Sequence, residues 1–90
     1  MNGNVGNVYC IYDEVAKAIE RLFEERTDGS AWRMYKAFCE NSKKQMPTFE
    51  RSDYTCWRLA SIDRYKMDIC SQKPERVIGD EPLEVEVGND

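Results

Sequence analysis

Residues 48–70, TFERSDYTCWRLASIDRYKMDIC, decide how this chain is read. Arg51, Arg58, Arg64 and Lys66 are threaded between Phe49, Tyr54, Trp57, Leu59, Ile62 and Tyr65. Taken as a helix, the stretch has Thr48 or Ser52 as a cap and Glu50 and Asp53 in its early turns, where negative charge suits the helix dipole. Phe49, Cys56, Leu59, Ala60 and Met67 then fall near one face, and Trp57, Ile62, Tyr65 and Ile69 widen the apolar surface. A helix apolar over so much of its girth is central and touched from more than one side. Arg64 to Ile69 alternates strictly between polar and apolar residues, as a half-exposed strand does. The helical reading, to about residue 69, is the one carried forward.

Two further helices are expected upstream. In YDEVAKAIERLFEER, residues 12–26, Tyr12, Val15, Ala18 or Ile19, Leu22 and Phe23 follow the spacing of one helix face. Thr27-Asp28-Gly29-Ser30 breaks it with turn residues. Ser30 then caps AWRMYKAFCENSKK, residues 31–44, with Ala31, Met34, Tyr35, Phe38 and Cys39 as the apolar stripe. Lys43 and Lys44 suit its C-terminal end, and Met46-Pro47 closes it.

The ends read differently. Residues 1–7 are polar and flexible, leading into a short strand at 8–12. Beyond Lys73-Pro74, Arg76-Val77-Ile78 is β-prone, and Leu83-Glu84-Val85-Glu86-Val87 alternates as a half-buried strand would. Residues 88–90 fray. No internal repeat or low-complexity segment is evident. The expectation is therefore an α+β fold: a small three-helix domain with short terminal strands or a C-terminal hairpin, compact over residues 8–87.

The chain's 90 residues permit one domain, with a thin stability margin. Net charge is −4, spread as −3 over residues 1–31, +4 over 32–66 and −5 over 67–90. The net value disfavours generic nucleic-acid binding, while the distribution sets a basic middle between an acidic head and tail. No apolar run approaches the length of a membrane span, and the N-terminus lacks a secretory pattern, so a soluble cytoplasmic (intracellular) protein is expected. Cys10, Cys39, Cys56 and Cys70 form no close pair, and histidine is absent, so no metal site is expected and the thiols read as reduced, mostly core residues.

Enzyme chemistry finds no foothold: no histidine base, no phosphate loop, no nucleophile elbow. No catalytic residue and no cofactor is expected. The leading function is protein–protein interaction, by a small regulator, inhibitor or adaptor that is a possible homodimer. Arg, Trp and Tyr are enriched at binding hot spots, which selects Trp32, Arg33, Tyr35, Arg51, Tyr54, Arg58, Arg64 and Tyr65 as partner-binding candidates. The tail strand offers an edge for pairing with a partner. The alternative is a DNA-binding regulator with a winged helix-turn-helix-like arrangement, reading DNA through residues 48–66 with Arg51, Ser52, Thr55 and Arg58.

Overall fold

Two aspartates set the architecture. Asp13 Oδ1 accepts hydrogen bonds from the amides of Val15 (2.9 Å) and Ala16 (3.0 Å). Asp63 Oδ1 does the same for Tyr65 (3.0 Å) and Lys66 (3.3 Å). In each loop one residue then takes a left-handed conformation, Lys17 at φ 60° and Met67 at φ 52°. Such side-chain bonds to nearby amides offer the backbone a turn in place of a helix. The chain doubles back twice, giving the antiparallel hairpins β1 (Val5–Asp13)/β2 (Ala18–Glu25) and β3 (Tyr54–Asp63)/β4 (Asp68–Arg76).

The computed structural model describes residues 5–79. The two hairpins join through β1 and β3 into one antiparallel sheet of order β2-β1-β3-β4. Val5 lies opposite Asp63 and Asp13 opposite Tyr54, so the two hairpin tips point to opposite ends of the sheet. A single helix, α1 (Asp28–Gln45), links the hairpins and packs on one face. A single 3-10 turn at Arg51–Asp53 leads into β3.

The three-helix expectation is therefore overturned, and with it the description of the chain as helical. Residues 12–26 are the end of β1, a turn and β2; residues 51–69 are the 3-10 turn, β3, a turn and the start of β4. The helical spacing in both stretches has a physical source. Tyr12 pairs with Ile19 and Ile11 with Arg21, so Glu20 is the extra residue of a β-bulge. Tyr9 pairs with Arg58 and Val8 with Ala60, which makes Leu59 a second bulge. One inserted residue turns a period of two into spacings of three and four, the signature of a helix face. Ile19 and Leu22, or Cys56, Leu59 and Ala60, thus mimic a stripe. The strand alternative for residues 64–69 is the correct one from Asp68 onward.

The middle helix stands, with an earlier start. Thr27, not Ser30, is the cap, its hydroxyl accepting from the Ser30 amide at 3.1 Å. Asp28 occupies the first turn, and Lys43 and Lys44 the last. Ala31, Trp32, Tyr35 and Cys39 face inward. They meet Tyr9 and Ile11 of β1, Cys56 of β3, Phe49 from the loop before β3 and Val77 beyond β4. Of the residues expected to hold the domain together, Phe49, Cys56 and Ala60 are buried, whereas Met67 sits in a loop at 92% exposure. The expected strand at 8–12 belongs to the longer β1, so Val5–Asn7 are strand rather than lead-in. The expected tail strand at 83–87 and the frayed residues 88–90 lie outside the described residues, as do residues 1–4.

Candidate interaction surface

Strand alternation sorts side chains onto two faces. Tyr9 and Ile11 point to the helix, so Val8, Cys10 and Tyr12 point away from it. Cross-strand partners share a face, which places Leu22 and Trp57 beside Cys10, Ile19 and Thr55 beside Tyr12, and Ala60 beside Val8. Ile62 pairs with Ile69 at the far side of the sheet. A shallow depression on this face is lined by Cys10, Tyr12, Glu14, Ile19, Trp57, Leu59 and Pro74. Among the described residues no element covers this face. Ile19, Leu22 and Ile69 are 48%, 59% and 62% exposed. Near its upper margin the Thr55 hydroxyl donates to Glu14 (2.7 Å) and accepts from the Trp57 indole N–H (2.7 Å). That relay fixes the indole and gives the Glu14 carboxylate a partner.

The expected partner-binding residues do not gather here. Trp32 and Tyr35 are core residues under α1, stacked at 5.1 Å between ring centroids. The Tyr35 hydroxyl donates to the Tyr54 carbonyl at 2.7 Å, and Tyr54 stacks on Phe49. These three, with Arg51, line a groove at the end of the helix layer that also takes in Arg76 and Ile78. Arg33 is exposed on α1, and Arg64 and Tyr65 sit at the β3–β4 tip, where Arg64 pairs with Glu24. Arg58 is a clamp. Its guanidinium contacts Asp28 at 3.2 Å and also Glu75, while Asp28 accepts from the Tyr9 hydroxyl at 2.7 Å. One carboxylate thereby ties the start of α1 to β1, β3 and β4. Burial works against the Arg58 charge, but Asp28 and Glu75 outweigh it and hold its pKa above the ordinary value.

The helix-covered face is dry. Burial pushes the Cys56 thiol up to about 12 and raises the Tyr9 and Tyr35 hydroxyls well above their ordinary values. Cys39 is raised by the same cause, as is Cys10 on the opposite face of the sheet. Raised, buried thiols are poor nucleophiles. All four cysteines are free, and only Cys70 is exposed. Among the described residues no group of three or more Cys, Asp or Glu is placed to hold a metal ion. No helix there is long and apolar enough to cross a membrane.

The open face was missed because its residues are scattered over four strands. Its one sequence signal was the excess of apolar residues around the supposed third helix: a strand between two apolar faces has that excess too.

The arrangement defines a small ββαββ domain with a helix on one face of its sheet. Residues 6–82 match the family of phage ORF5 proteins, and the chain belongs to that family. No curated protein and no solved structure matches it.

Proposed function

We propose that the chain is a small acidic protein–protein interaction module, a non-enzymatic regulator, inhibitor or adaptor that works in the cytoplasm. The observation that supports it is the uncovered apolar face of the sheet. Contiguous exposed apolar patches beyond about 300–600 Å² are rare on monomers and mark contact sites. The face carries few charges at its centre, as the cores of protein interfaces do. DNA reading through residues 48–66 has lost its helix, because Tyr54–Asp63 is a strand in the middle of the sheet.

The test uses the full chain as bait in a phage-infected host extract, with and without nuclease. The expected result is a protein partner that survives nuclease and high salt and is lost with Leu22→Lys plus Ile69→Lys. Recovery of nucleic acid alone, falling steeply with salt as phosphate contacts do, would overturn the reading.

A further inference from the structure

We infer that the open face of the sheet is filled by a second copy of this chain, packed face to face to form a two-fold dimer. The inference rests on the interaction reading and names its partner. Three observations converge on it.

The first is the size of the face. Four strands about 4.8 Å apart and nine residues long at about 3.3 Å each give a footprint of roughly 570 Å². Two such footprints, with side-chain relief added, reach on the order of 1,200 Å², the lower bound of specific interfaces. The whole face is needed to reach that area, and a second copy of the same sheet matches it in extent.

The second is its chemistry. Val8, Cys10, Tyr12, Leu22, Leu59 and Ile62 run across β2, β1 and β3, and the charges beside them are already engaged: Glu24, opposite Val8, pairs with Arg64, and the Arg76 guanidinium lies over the Trp57 ring. Glu14 lies at the margin and already accepts from Thr55. An apolar surface whose few charges are already paired or stacked has the character of homodimer interfaces, which are more apolar than those of transient encounters.

The third is the economy of the fold. The buried hydrophobic residues number eleven among those described, and they serve one side of the sheet for the most part. Domains of this size commonly take support from oligomerisation. Packing two sheets about 10 Å apart would bury Ile19, Leu22 and Ile69, which at present face solvent, and produce a two-layer core between two outer helices.

Sedimentation equilibrium on the full chain, from about 1 to 100 µM, tests this over a range in which dimers of ordinary affinity form. The expected mass is twice that of the chain for the wild type. Leu22→Lys plus Ile69→Lys should give the single-chain mass at the same concentrations, with an unchanged circular dichroism spectrum. Should that pair unfold, Leu22→Thr plus Ile69→Thr keeps strand-forming residues and should still raise the dissociation constant at least tenfold. Met34→Lys, on the exposed side of α1, should leave the dimer intact. A wild type at single-chain mass throughout overturns the inference. So does a dimer indifferent to both face variants. In either case a different protein captured through the same face would leave the interaction reading standing, so the two failures are distinguishable.

Discussion

The two faces of the sheet are built from the same four strands, yet they obey different rules. Toward the helix, Tyr9, Ile11 and Cys56 are sealed under Trp32, Tyr35 and Cys39, and their polar atoms are either bonded or held protonated. Away from the helix, Ile19, Leu22 and Ile69 are as apolar but stay about half exposed or more, with only strand neighbours beside them. Residue type is thus no guide to which face holds the monomer together. The neighbouring layer is: α1 converts one apolar surface into a core, and among the described residues no such layer lies over the other. Substitutions on the first face should act on folding, and substitutions on the second on association.

The largest effect should come from alkali, which acts mainly on the covered face. Burial favours the protonated forms of Cys56, Tyr9 and Tyr35, so the folded chain keeps these protons to higher pH than the unfolded chain. Stability should be full below about pH 9, the ordinary thiol value, and be lost progressively as pH rises toward about 12. Urea midpoints measured across that range check it; a flat profile would mean that the helix layer is wet.

Ile11→Ala comes next, with a cost of about 3–4 kcal/mol in urea unfolding, because the side chain is fully enclosed and leaves a cavity. Gly79→Ala sharpens the boundary of the covered face. A Cβ there would lie 1.9 Å from Trp32 Cδ1, so either the indole or the backbone after Val77 must move. Overpacking of this kind costs about 1–3 kcal/mol, and Trp fluorescence should shift with it. Thr27→Ala removes the cap of the covering helix and should cost about 1 kcal/mol, read as a lower melting temperature. At the bottom of the scale, Leu22→Thr on the open face should change the stability of the separated monomer by no more than about 0.5 kcal/mol, since it is a surface position there. A loss as large as that of Ile11→Ala under monomeric conditions would erase the contrast between the faces.

How much of this was legible in the residues varies with the element. α1 was, apart from its first turn: Ala31, Tyr35 and Cys39 repeat at a true helical period and Lys43 and Lys44 mark its C-terminal end, but the cap is Thr27 and not Ser30. β2 and β3 were not. Their bulges at Glu20 and Leu59 insert a residue into the two-residue period, and the good helix formers around Ile19–Glu25 add to the disguise. Asp13 and Asp63 each stand just before a hairpin turn, but an aspartate also suits the first turn of a helix. The candidate site was less legible still. Tyr35 and Trp32 carry the composition of a hot spot yet lie in the core, and Leu22, which carries none of it, is on the exposed face.

By itself the sequence determined the local chemistry: the helix of residues 31–44, a chain without histidine, and enough apolar residues for more than one surface. Those follow from interactions between residues a few positions apart. The tertiary structure alone decided that Ala18–Glu25 is a strand, that Arg58 pairs with Asp28 at the helix start, and which apolar face the helix covers. The reason is that a strand has no hydrogen-bond partner within itself. Its conformation is settled by the strand beside it, and its exposure by the layer above it, both of them distant in the chain.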